Sequence, residues 1–157
     1  MTQAWHQHQM RVQYKDTDQM GVVHHGNYIT WFEVARTEWM RHFDMSYHAI
    51  EEQGLLLPVL DVNAAYKSSA RFDDLVVLFT RIEQYSPIRL VFQYEARRIT
   101  EEDGTTNGLE SATVEEPYGE LLTTGATTHM WVNQAWKPVK LRKTHPELYE
   151  KIQRIAD

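Results

Sequence analysis

Hydrophobic and polar positions alternate along this chain in two different periods. Met10, Val12 and Tyr14 alternate with Arg11 and Gln13, the pattern of a short strand with one inward face. From Asn27 the period lengthens: Tyr28, Phe32, Ala35, Trp39 and Phe43 recur every three or four residues, which predicts a helix. Ile29, Trp31, Val34 and Met40 widen that stripe until most of the circumference is apolar. Such a helix is expected to be wrapped by other structure, with Trp31 and Trp39 in the core. A second short helix is predicted over residues 46–53, ended by Gly54.

Beyond Gly54 the period is that of strands. Residues 55–66 alternate at Leu60, Val62, Ala64 and Tyr66, and residues 75–82 form a dense apolar run. Residues 88–99 alternate at Ile88, Leu90, Phe92, Tyr94 and Ala96. In residues 121–132, Thr123, Gly125, Thr127, His129 and Trp131 share one face, with Leu122, Ala126, Met130 and Val132 on the other. Asp73-Asp74 and Tyr85-Ser86-Pro87 mark turns. A short C-terminal helix is predicted at 145–155, with Thr144 and Glu147 as a capping box and Pro146 in its first turn. The order predicts an α+β fold, a long antiparallel sheet around a central buried helix. The exposed edges of such a sheet invite pairing, so a homodimer or homotetramer is expected.

The length of 157 residues fits a single domain over residues 1–157, and the absence of cysteine removes disulfides, thiolate metal sites and cysteine nucleophiles. The net charge of −6 comes from one place: six acids and no base lie in residues 101–118. Without them, acids and bases balance at 16 each. No basic stripe suits nucleic acid. The amino terminus is expected to carry no secretory leader and to be mobile, and no apolar run approaches the ~20 residues of a membrane span. A cytoplasmic location without membrane insertion is expected.

Reactive groups are densest between the first strand and the buried helix, from Tyr14 through Asp16, Asp18, His24, His25, Gly26 and Asn27 to Tyr28. Backbone N–H groups at a helix start can hold a developing oxyanion, and a carboxylate on the preceding loop can act as base or nucleophile. That combination suits hydrolysis of an activated ester or thioester.

The block Asp16-Thr17-Asp18, Gly21-Val22-Val23-His24-His25-Gly26-Asn27-Tyr28, followed by Ala35-Arg36-Thr37-Glu38, resembles the hotdog-fold acyl-CoA thioesterases of the 4-hydroxybenzoyl-CoA thioesterase class. Within that class it looks most like the short bacterial enzymes associated with the Tol–Pal gene cluster. The resemblance spans roughly residues 9–141. It implies hydrolysis of acyl-CoA to a carboxylic acid and coenzyme A, with Asp18 as general base or nucleophile. It further implies that the His25 N–H polarises the thioester carbonyl, that Gly26 adds a second N–H, and that the His25 imidazole assists. Tyr14, Asn27 and Tyr28 are implied as motif-shaping residues. No cofactor is implied, coenzyme A being part of the substrate, and no metal; the acyl pocket is expected between subunits. The same fold can also bind an acyl thioester without cleaving it, as a sensor or docking module, in which case the acidic insertion at 101–118 would be the docking element.

Several residues have blander readings. Asp16 reads as a turn former. His24 and His25 are adjacent and expected to point apart, which disfavours a metal with Asp18, His6 and His8. Glu33 is about 12 Å along the helix from His25 and is expected to pair with Arg36 or Thr37. His129 reads as core or interface. Lys67, Arg71, Lys137, Arg142 and Lys143 are possible phosphate contacts, none of them assigned.

Overall fold

The computed structural model describes residues 3–107 and 111–157. Strand β1 (Trp5–Arg11) leads through a single 3-10 turn (Tyr14–Asp16) to the central helix α1 (Asn27–His42) and the short helix α2 (Tyr47–Glu52). Strands β2 (Leu55–Leu56), β3 (Val59–Tyr66), β4 (Leu75–Tyr85) and β5 (Arg89–Ile99) follow. Helix α3 (Glu101–Asn107) and strand β6 (Thr113–Val114) come next, then β7 (Glu120–Met130), β8 (Val132–Asn133), α4 (Leu141–Thr144) and α5 (Pro146–Ala156). Six strands form one sheet in the order β3-β7-β5-β4-β1-β6, each pair antiparallel. The α+β arrangement is the predicted one.

Helix α1 buries Tyr28, Trp31, Phe32, Ala35, Trp39 and Met40 against the concave face of the sheet. Phe32 stacks on Tyr94 at 4.6 Å, and Trp39 meets Phe92 edge-on at 5.0 Å. The facing stretch of β7 is small and polar: Thr123, Gly125, Thr127 and His129 are all buried. Gly125 makes the fit possible, because a Cβ there would lie 2.4 Å from the Phe32 ring. The Thr127 hydroxyl is satisfied, its Oγ1 bonding Tyr94 Oη at 2.6 Å and His129 Nε2 at 2.7 Å. Burial holds the His129 imidazole down at about 4 and pushes the Tyr94 phenol up to about 12. His129 is thus a core residue.

Several expectations need correction. The first strand runs over Trp5–Arg11 and not over residues 10–14, and the terminus from Trp5 onward is ordered in the sheet. Its polar appearance arises because both faces are covered. One faces α1; the other lies under residues of the acidic segment, where Trp5, Val77, Phe79 and Ile99 pack with Val114 and Tyr118. That segment therefore folds as α3 and β6, with β6 paired to β1; residues 108–110, Glu110 among them, lie outside the described residues. The strand expected over 55–66 is broken at Pro58, which offers no N–H to a ladder. Helix α1 is apolar on more sides than the sheet covers, leaving Ile29 and Val34 exposed. Glu33 is exposed without an ion pair among the described residues, because Arg36 turns inward and its Nε donates to Tyr47 Oη at 3.1 Å. At the C-terminal helix the N-cap is His145, without a side-chain cap, and the Thr144 hydroxyl donates instead to the Lys140 carbonyl.

Candidate active site

The loop between β1 and α1 is built by short-range bonds. Asp16 closes the 3-10 turn, its Oδ2 accepting the Gln13 N–H at 2.9 Å. Asp18 then sits in a tight reversal: its N–H donates to the Val22 carbonyl, and Gly21, at φ +81°, donates back to the Asp18 carbonyl. Such a φ suits glycine, which has no Cβ to clash. The Met20 N–H donates to Asp18 Oδ1 at 2.9 Å, while Oδ2 accepts no hydrogen bond among the described residues. One oxygen of the carboxylate is fixed and the other is available.

Helix α1 is anchored to that loop through Asp16, whose carbonyl accepts from Asn27 Nδ2 at 2.7 Å and from the His24 N–H at 2.9 Å. These bonds tie the loop to the first turn of the helix. The Tyr28 phenol is buried and accepts the Ala70 N–H at 3.2 Å, which fixes the helix against the strand connection, and burial raises its pKa. At the helix start the Gly26 N–H donates to His24 Nδ1 at 3.1 Å, which turns the His24 ring back, so the two histidine rings do not point apart as expected but stack at 4.3 Å. The Tyr66 hydroxyl donates to the His25 carbonyl at 2.9 Å. The His25 N–H has no acceptor among the described residues.

Asp18, His25 and Tyr28 line one cavity of about 180 Å³, together with Tyr66, Ser68 and Ser69. Gly26 and Asn27 do not line it. Tyr14 lies outside, 78% exposed and edge-on to Phe72 at 5.6 Å. Ser68 and Ser69 carry no sequence signal, and Tyr66 only that of a strand end and a weak family feature ahead of the Asp73-Asp74 turn. Among the possible phosphate contacts, Lys67, Arg71 and Lys137 line no part of this cavity. Arg142 and Lys143 border a separate groove of about 470 Å³, against Pro87 and Ile88 at the far end of β4. No three His, Asp or Glu side chains gather as a metal ligand set among the described residues, and no described helix is long and apolar enough to cross a membrane.

A carboxylate with one unengaged oxygen and an unengaged N–H, on two residues that line one small cavity, can activate a nucleophile and hold an oxyanion. Comparison with known proteins gives the family. Residues 20–105 match the thioesterase superfamily. The chain is 31% identical over 150 residues to YneP of Bacillus subtilis, a protein classed as an acyl-CoA thioesterase, covering 93% of this chain and 96% of that protein. It is 37% identical over 83 residues to the acyl-CoA thioester hydrolase YbgC of Escherichia coli, over 53% of this chain and 62% of YbgC. Its fold is similar to that of a DHNA-CoA thioesterase from Staphylococcus aureus, with a TM-score of 0.80 and 34% identity over 96% of this chain and 90% of that one.

Proposed function

The chain belongs to the thioesterase superfamily, and from that premise we propose that it hydrolyses acyl-CoA thioesters to a carboxylic acid and free coenzyme A. The observation that carries this reading is that Asp18 and His25 line one cavity, with Asp18 Oδ2 and the His25 N–H both left without a hydrogen-bond partner among the described residues. Asp18 takes a proton from water as the water oxygen bonds to the thioester carbon. The carbonyl electrons move to oxygen, where the His25 N–H holds the negative charge. As the carbonyl re-forms, the carbon–sulfur bond breaks and the thiolate leaves with the proton. No cofactor takes part. The motif from Asp18 to Tyr28 supports placing the chain with the short bacterial enzymes of the 4-hydroxybenzoyl-CoA thioesterase class, beside those associated with the Tol–Pal cluster.

The working unit in this proposal is a dimer. A cavity of about 180 Å³ is smaller than the ~300–1,000 Å³ usual for small-molecule sites, so one subunit supplies only part of an acyl pocket. Strand β3 is the outermost strand on its side of the sheet, with Val59, Leu60 and Tyr66 exposed along it. A second copy paired there completes the pocket.

The test is thiol release from short, long and aromatic acyl-CoAs by the wild type and Asp18→Asn. Turnover that falls at least about 100-fold in the variant is the expected result. Unchanged turnover in Asp18→Asn would discard the role given to Asp18. Binding of acyl-CoA without turnover of any of them would replace the hydrolase with the thioester-binding module.

A further inference from the structure

We propose that His24 is a positioning residue for this site, clamping the peptide after His25 so that the His25 N–H alone is presented to the thioester; the inference rests on the hydrolase reading above. Two successive peptide units meet at the helix start and carry four polar groups. The His24 carbonyl accepts the Asn27 N–H at 2.9 Å. The His25 carbonyl accepts the Tyr66 hydroxyl at 2.9 Å. The Gly26 N–H donates to His24 Nδ1 at 3.1 Å. Three of the four groups are engaged, and the fourth, the His25 N–H, has no acceptor among the described residues.

The His24 side chain is the element that decides which N–H is spared. Its ring lies flush over Gly26, where a Cβ would come within 3.2 Å of Nδ1 and 3.3 Å of Cε1. It also stacks on the His25 ring at 4.3 Å with an interplanar angle of 29°. A ring nitrogen that accepts a hydrogen bond carries no proton, so His24 is neutral in this arrangement and holds its proton on Nε2. Without that acceptor the Gly26 N–H is a second, competing donor, and the peptide between His25 and Gly26 is held only through its carbonyl. An oxyanion donor acts through placement, and looseness at the neighbouring peptide costs rate in the step where charge develops. Ground-state binding of the acyl-CoA does not depend on it, which separates this role from a contact to substrate.

Two variants isolate the hydrogen bond. In His24→Asn the side-chain oxygen can accept the N–H two residues on, as Asp18 Oδ1 does from Met20 and Asn133 Oδ1 from Ala135 in this chain. In His24→Phe a flat ring remains but no acceptor. His24 is exposed, so neither change threatens the core. The measurements are kcat and KM for the best acyl-CoA, and amide hydrogen exchange at Gly26 by NMR, which needs no substrate. The expected result is a kcat at least about 10-fold lower in His24→Phe, with KM within about 3-fold, and a kcat restored to within about 3-fold of wild type in His24→Asn. Gly26 exchange rises at least about 10-fold in His24→Phe and stays near wild type in His24→Asn. Wild-type kcat in His24→Phe, or equal impairment in both variants, overturns the proposal. If the wild type hydrolyses no acyl-CoA, the hydrolase reading fails separately, and unchanged Gly26 exchange in His24→Phe then overturns the clamp itself.

Discussion

Tyr66, at the end of the outermost strand, donates its hydroxyl to the His25 carbonyl at 2.9 Å and so ties the sheet edge to the loop that opens the central helix. The ring is 47% exposed, so the bond contributes only about 0.5–1.5 kcal/mol to stability. Its larger effect is on the orientation of the peptides that frame the cavity. Tyr66→Phe is expected to leave the urea midpoint nearly unchanged while lowering kcat on acyl-CoA about 10-fold. Steady-state kinetics beside a denaturant titration check both parts; a normal kcat would remove Tyr66 from the frame of the site.

Gly125 marks the closest approach between sheet and helix. A Cβ there would fall 2.4 Å and 2.6 Å from two carbons of the Phe32 ring and 2.7 Å from the Asn63 carbonyl oxygen. Phe32 has no room to withdraw, since it stacks on Tyr94 and is fully buried. Gly125→Ala is expected to destabilise the fold by about 1–3 kcal/mol. Adding Phe32→Leu should return part of that loss, because the smaller side chain vacates the contact. Urea unfolding of the two single variants and the double variant measures the coupling; strictly additive losses would show that the contact is not the cause.

The helix α1 and the long strands were legible because each keeps one period over many residues. Strand β1 was not, since Gln7 and Gln9 face a cover that arrives about a hundred residues later: Gln7 Nε2 donates to the Ser111 carbonyl, and Gln9 Nε2 to that of Gly104. A polar side chain buried by a distant partner looks like surface in the sequence. The candidate site divides in the same way. Asp18 and His25 lie in one contiguous block and could be read from it, whereas Ser68 and Ser69 reach the cavity only through the turn after β3. The engagement of the Gly26 N–H by His24 depends on a ring orientation that no spacing encodes.

Acid should destabilise the fold through two buried histidines. His6 is held at about 4 by burial and by the nearby His42 and His8, and His129 is held at about 4 by burial and by Arg36. Both are lowered from 6.5, so between pH 6.5 and 4 the unfolded chain takes up protons that the folded chain refuses. Stability is therefore full above about pH 6.5 and falls as pH drops, by about 3 kcal/mol for each histidine by pH 4. With both groups titrating, the slope approaches about 2.7 kcal/mol per pH unit near pH 5. Unfolding free energies from pH 7.5 to 4 test this, and His6→Gln should halve the slope. An unchanged slope in that variant would place the proton uptake elsewhere.

The outer edge of β3 supplies the last prediction. Its register against β7 slips between Val59 and Asp61, so Leu60 is an extra residue at a bulge, 48% exposed. Val59 beside it and Tyr66 at the far end are 42% and 47% exposed, and Ile29 and Val34 on α1 are also uncovered. Large apolar side chains along an unpaired edge invite a second strand, and a lysine there discourages one. Leu60→Lys is expected to leave the circular dichroism spectrum intact, because the side chain supports no core contact. It should shift sedimentation from dimer to monomer at micromolar concentration. Thiol release should fall with it at least about 10-fold, and recover as protein concentration is raised, because the acyl pocket is then re-formed by mass action. A Leu60→Lys monomer with wild-type turnover would mean that one subunit holds the whole substrate, and the shared pocket would have to be abandoned.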